Sequence, residues 1–150
     1  MIRKANIQDL KKIQELINFY AKQDKMLPRS LNELYENVRD YFVYEEDGEI
    51  AGCCALHVAW EDLVEIKSLA VTEARQRQKI GRALVEAALE DAKNLNAKRA
   101  FALTYVPEFF EKFGFKRVDH SQLPHKIWSE CIKCVKFPDC QETALVKDIA

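Results

Sequence analysis

Glycine and proline are scarce, four of each in 150 residues, and the chain shows no low-complexity segment, internal repeat or interdomain linker. No apolar run approaches the roughly 20 residues needed to span a bilayer. The opening MIRKANIQDL has no apolar signal core, so a cytoplasmic protein with no membrane partner is expected. Net charge is almost absent: 23 basic against 24 acidic residues leave -1. There is thus no global basic field to attract nucleic acid, and any anion site must be local. Five cysteines, an odd number with no signal peptide, argue against a secreted disulfide framework. What remains is 48% hydrophobic and 31% charged, the composition of one globular domain over residues 1–150, large enough to bury a core without metals or disulfides.

Periodicity orders the elements. Ile2 to Ala5 reads as a short strand, and Asn6 with Asp9 opens a helix carrying Leu10, Ile13, Leu16, Ile17 and Tyr20 on one face. Pro28 interrupts; Ser30 and Glu33 form a capping box for a second helix with Leu31, Leu34, Tyr35 and Val38. From Tyr41 the period changes to two. Strands over Tyr41 to Glu45, Glu49 to Ala59 and Leu63 to Val71 form an antiparallel meander, with Asp47-Gly48 as a hairpin turn. Cys53 and Cys54, adjacent in a strand, point to opposite faces as small core residues. A helix from about Ile80 to Leu95 then leads to a strand over Ala97 to Tyr105, so a right-handed crossover and parallel pairing with the strand ending at Val71 are expected. A short helix from Glu108 to Phe113 ends at Gly114, followed by a strand over Phe115 to Val118, an irregular segment over 119–141, and a closing strand over Glu142 to Ile149.

The segment Arg75-Gln76-Arg77-Gln78-Lys79-Ile80-Gly81-Arg82 puts four basic side chains around a helix start that holds a glycine. The helix dipole disfavours cations there. A helix N-terminus with unpaired N–H groups and no side-chain bulk at the approach point is, however, a ready anion site. The pattern is neither G-x-G-x-x-G nor a P-loop, and by itself supports either a local anion site or a basic surface turn.

Gln78-Lys79-Ile80-Gly81-Arg82-Ala83 matches Q/R-x-x-G-x-G/A, and the chain thereby resembles the GNAT acetyltransferases. Glu111-Lys112-Phe113-Gly114-Phe115 resembles that family's E-K-x-G-F, and the likeness runs over nearly the whole chain. The resemblance implies an α+β fold, a central mixed, mostly antiparallel twisted sheet with helices on both faces, and acetyl-CoA as cosubstrate. It assigns Gln78, Lys79, Ile80, Gly81, Arg82 and Ala83 to the pyrophosphate, and Leu69, Ala70 and Val71 at the strand end to the pantetheine arm. Homodimers are common in the family.

Acetyl transfer to an amine needs a base to neutralise the ammonium and a donor for the carbonyl oxyanion. Glu65 occupies a position similar to that of the family's general base, the alternatives being a solvated glutamate or an ion pair with Lys67. The Leu69 backbone N–H is the implied oxyanion donor. Many relatives carry a tyrosine acid where this chain has Phe110; Tyr105 is a substitute, and a thiolate can also leave unassisted.

Met26-Leu27-Pro28-Arg29-Ser30 and Glu65-Ile66-Lys67-Ser68-Leu69-Ala70-Val71 resemble stretches of the N-acetylglutamate synthase branch, linked to arginine biosynthesis. The acceptor implied is a small amino acid, foremost L-glutamate. Arg29 would hold its α-carboxylate bidentately, and His57 aligns with a lysine that serves the same carboxylate in that branch. Glutamine, a polyamine or a protein N-terminus are alternative acceptors, and a catalytically silent acyl-CoA-binding module is a third reading. Finally, His125, Cys131, Cys134 and Cys140 include one Cys-x2-Cys knuckle spacing and could hold a structural zinc, the competing reading being reduced cysteines packed around Trp128 and Phe137.

Overall fold

The computed structural model describes residues 1–76, 78–123 and 142–149. Seven strands form one sheet in the order β1-β2-β3-β4-β5-β7-β6: β1 (Ile2–Lys4), β2 (Tyr41–Glu46), β3 (Glu49–Trp60), β4 (Leu63–Val71), β5 (Arg99–Thr104), β6 (Lys116–Val118) and β7 (Thr143–Asp148). Every neighbouring pair is antiparallel except β4 and β5, which run parallel. Helices α1 (Leu10–Ala21) and α2 (Leu31–Glu36) precede the meander, α3 (Ile80–Asn94) makes the crossover from β4 to β5, and α4 (Pro107–Glu111) follows β5.

The two faces of the sheet are visible in the adjacent cysteines. Cys53 packs with Tyr41, Val43, Ala55 and Ala70 beneath α1 and α2. Cys54 packs with Leu56, Ile66 and Ala102 beneath α3 and Phe110 of α4. Both are fully buried, so the period-two alternation holds through the pair. Gly52 lets α3 seat closely, because a Cβ there would lie 3.0 Å from Leu84 Cδ1 and 3.1 Å from Ile80 Cγ2. That seating fixes where the first turn of α3 ends up.

The start of α1 is held by charge. Asn6 caps a 3-10 turn over Ile7–Asp9 before the α-helix begins, and buried Asp9 accepts from Arg3 Nη1 at 2.7 Å, Arg3 Nη2 at 3.0 Å and the Asn6 backbone N–H at 2.8 Å. The Arg3 guanidinium holds the Asp9 carboxyl below its usual range. A folded pKa below the unfolded value near 4 means stability that is present above that value and is lost as pH falls through the folded one. Asp9→Asn is therefore expected to cost about 1–3 kcal/mol at pH 7 and to flatten the stability loss below pH 4, measured by urea unfolding at pH 7 and pH 3.

At α2 the expected capping box forms by half. Ser30 Oγ accepts from the Glu33 N–H at 3.1 Å, but the Glu33 carboxylate turns to Arg29, 3.3 Å from Nη1. The ion pair takes the carboxylate that the reciprocal cap would have used.

Candidate active site

The site begins where β4 leaves its neighbour. Parallel pairing with β5 covers only Leu63–Glu65 against Arg99–Phe101, and from Ile66 onward β4 is paired on its β3 side alone. The β3 ladder then slips: Ala55 faces Lys67, whereas Cys53 faces Ala70. The extra residue is a bulge, and Ser68 within it is left-handed at φ 56°, uncommon for a residue with a Cβ. Two buried side chains hold it. Tyr41 Oη lies 3.2 Å from Ser68 Oγ and Cys53 Sγ lies 3.3 Å from the Ser68 carbonyl oxygen. Burial pushes the Cys53 thiol up to about 12 and raises the Tyr41 hydroxyl well above its ordinary value, so both remain protonated donors at neutral pH. Leu69 thus lies at the bulge, where two cavities meet.

The larger cavity is a groove of about 770 Å³. Leu69, Ala70 and Val71 form one wall, and Lys79, Ile80, Gly81 and Arg82 form the end. The first turn of α3 has no side-chain cap; its N-cap is Lys79, itself left-handed at φ 64°. The Ala83 N–H is used inside the helix, donating to the Lys79 carbonyl at 3.0 Å. Hence Ala83 offers no amide, and neither it nor exposed Gln78 lines the groove. The amides facing outward are those of Ile80, Gly81 and Arg82. Gly81 has no positive φ, and a Cβ would meet only ordinary contacts, Phe109 Cζ at 3.6 Å and Val71 Cγ2 at 3.8 Å. Its lack of a side chain therefore matters for what approaches the amides, not for the backbone. Of the basic cluster, Arg75 pairs with Glu46 and Arg82 with Glu86; Arg77 lies outside the described residues.

One groove residue has no motif. Tyr20, read from periodicity as helix core, donates its hydroxyl to the Val71 carbonyl and accepts from Gln76 Nε2 at 2.6 Å. It pins the end of β4 to α1. The only signal was a polar tip on the last turn of an apolar stripe.

The second cavity is a cleft of about 140 Å³ lined by Arg29, Glu65, Lys67, Leu69, Tyr105 and Phe110, among others. It shares Leu69, Val106, Lys25 and Met26 with the groove. Glu65 is buried, which removes the solvated-glutamate alternative, and it forms no salt bridge with Lys67 among the described residues. Arg29 is positioned by Gln14, whose Nε2 donates to the Arg29 carbonyl at 3.1 Å, and its buried Nε has no hydrogen-bond partner among the described residues. Phe110 is packed edge-on against Phe109 and Phe115, so the position carries no proton donor, and the hydroxyls in the cleft lining are those of Ser68, Thr104 and Tyr105. His57 is the cross-strand partner of Glu65, but its Nδ1 lies 2.7 Å from Asp40 Oδ2 and it does not line the cleft. The expected cysteine ligands and His125 lie outside the described residues; among the described residues no group of three His, Cys, Asp or Glu could hold a metal, and no helix is long and apolar enough to cross a membrane.

The volumes differ in kind. The groove falls within the roughly 300–1,000 Å³ of pockets that take extended ligands, whereas the cleft lies well below it. This geometry has close relatives. A protein of Chlorobaculum tepidum described as an uncharacterized N-acetyltransferase is 36% identical over 99% of this chain and 96% of its own length. The amino-acid acetyltransferase of Mycobacterium tuberculosis is 35% identical over 87% of this chain and 76% of its own. Among solved structures, a Mycobacterium tuberculosis protein in complex with CoA and NLQ superposes with a TM-score of 0.84 at 30% identity, covering 99% of this chain and 98% of that one. The Neisseria gonorrhoeae N-acetylglutamate synthase complexed with coenzyme A and N-acetyl-glutamate gives 0.89 at 27% identity, this chain spanning 35% of its length. The family model described as acetyltransferase (GNAT) family matches residues 7–115. The chain belongs to the GNAT acetyltransferase family and is an acetyl-CoA-dependent N-acetyltransferase.

Proposed function

We propose that the chain transfers the acetyl group of acetyl-CoA to the α-amine of a small amino acid, foremost L-glutamate. The observation that carries this reading is that Arg29 and Glu65 line one small cleft, with a buried guanidine N–H on Arg29 that has no partner among the described residues. A carboxylate is the natural partner for that group. Polyamines bring no carboxylate, and a long polypeptide gains little from a cleft of this size. The complex of the Neisseria gonorrhoeae synthase with coenzyme A and N-acetyl-glutamate agrees with an amino-acid acceptor.

In this reading the amides of Ile80, Gly81 and Arg82 receive the pyrophosphate at the positive end of α3, with Lys79 and Lys112 on the groove lining adding attraction. The unpaired edge of β4 guides the pantetheine arm along Leu69, Ala70 and Val71. This brings the thioester to Leu69, where the two cavities join. Arg29 holds the acceptor's α-carboxylate, and Glu65 takes a proton from the ammonium, directly or through one water. The amine nitrogen then bonds to the thioester carbon, and the Leu69 N–H stabilises the oxyanion. On collapse the C–S bond breaks, the second amine proton passes to solvent, and the thiolate takes a proton from solvent directly or through Tyr105, which solvent reprotonates. His57 stands opposite Glu65, held by Asp40.

Arg29→Met is expected to raise the KM for L-glutamate roughly 10- to 100-fold, as loss of one charged partner does, with little change in the KM for acetyl-CoA, measured by thiol release. An unchanged glutamate KM contradicts the carboxylate assignment.

A further inference from the structure

We infer that Lys67 determines specificity for a dicarboxylic acceptor by receiving its side-chain carboxylate. The inference rests on the amino-acid acceptor proposed above. Lys67 follows Glu65 by two residues on β4 and lies on the same face of the sheet. Its cross-strand partner is Ala55, buried and small. Both Lys67 and Glu65 line the cleft that contains Arg29.

Of the three cations lining the cleft, Lys25, Arg29 and Lys67, Arg29 alone is in a salt bridge among the described residues. Arg29 is shared with Glu33 at 3.3 Å and Arg75 with Glu46. Lys67 is half-buried and has no salt bridge among the described residues. A partly desolvated ammonium that is held in no ion pair gains when an anion arrives. The strand advances about 6.6–6.8 Å from Glu65 to Lys67. A four-carbon lysine stem makes that span compatible with an amine at Glu65 and a carboxylate two or three carbons further along the same molecule.

The complementarity is threefold. The acceptor's ammonium faces Glu65, its α-carboxylate faces Arg29, and the second carboxylate faces Lys67. An amide in place of that carboxylate leaves the ammonium uncompensated, which penalises glutamine relative to glutamate. A site with a polar group intended for one partner rejects analogues more strongly than an apolar pocket does. An ion pair with Lys67 is one of the alternatives the sequence leaves open for Glu65, and no such pair forms among the described residues.

The test compares kcat/KM for L-glutamate and L-glutamine in wild type, Lys67→Met and Lys67→Arg. Wild type is expected to prefer glutamate, Lys67→Met to lower the glutamate-to-glutamine ratio about 30-fold through KM for glutamate, and Lys67→Arg to restore most of it. The KM for acetyl-CoA should stay within twofold, a readout that a general structural defect would move. If wild type prefers glutamate and Lys67→Met keeps the ratio, the Lys67 assignment falls while the glutamate reading stands. Where wild type prefers glutamine or an acceptor without a second carboxylate, the glutamate reading fails and Lys67 falls with it.

Discussion

Gly81→Asp is expected to abolish acetyl-CoA binding, with at least a 100-fold loss of affinity by calorimetry, while the protein stays folded. The free protein has room for the side chain, since a Cβ at Gly81 meets only Phe109 and Val71 at 3.6–3.8 Å. A carboxylate in the first turn of α3 is even favoured by the helix dipole, by about 0.3–1 kcal/mol. The same carboxylate, however, stands in front of the amides of Ile80, Gly81 and Arg82 and repels phosphate. Stability and binding therefore move in opposite directions. Gly81→Ala carries the same logic in milder form, with about 0.5–1 kcal/mol of added stability from the better helix former and about tenfold weaker acetyl-CoA binding. Unchanged affinity in Gly81→Asp contradicts the phosphate assignment.

Glu65→Gln is the second large effect. Turnover at pH 7 is expected to fall by about 10²- to 10⁴-fold, the usual contribution of a positioned base, with acetyl-CoA affinity within twofold. The amide keeps the shape and the buried position of Glu65 but cannot accept the ammonium proton. As pH rises, more acceptor arrives already neutral, so the gap between variant and wild type should narrow. Equal activity of the two proteins across pH removes Glu65 as base.

Much of the frame was legible because it rests on local periodicity. The meander, expected to end at Glu45, Ala59 and Val71, runs to Glu46, Trp60 and Val71, and α3, expected over Ile80 to Leu95, ends at Asn94. The parallel β4–β5 pair follows from the handedness of a crossover and is present. What periodicity could not carry is non-local or strained. The insertion of β7 between β5 and β6 joins residues more than 25 positions apart in sequence on its β6 side, and nothing in the closing strand names its neighbours. Ser68 and Lys79 take left-handed conformations that a non-glycine sequence does not announce, yet one makes the bulge at Leu69 and the other starts α3.

The site divides in the same way. Arg29 and Glu65 came from short stretches resembling the family, and the fold brings both to one cleft. The tie between His57 and Asp40 was hidden because Asp40 ends a 3-10 turn over Val38–Asp40, where neither helical nor strand period predicts a partner. Tyr20 was hidden by its own stripe: five apolar positions account for the helix face, and only the geometry shows the hydroxyl reaching Val71.

The most direct measurement is thiol release from acetyl-CoA on addition of L-glutamate to the wild-type protein, with the product's acetylated nitrogen identified by NMR. Glutamate-dependent release, a product acetylated on the α-nitrogen, and a kcat/KM at least tenfold above that for glutamine or spermidine are the predicted result. Release that depends on spermidine or a peptide N-terminus and not on glutamate, or no release with any of these amines, contradicts it.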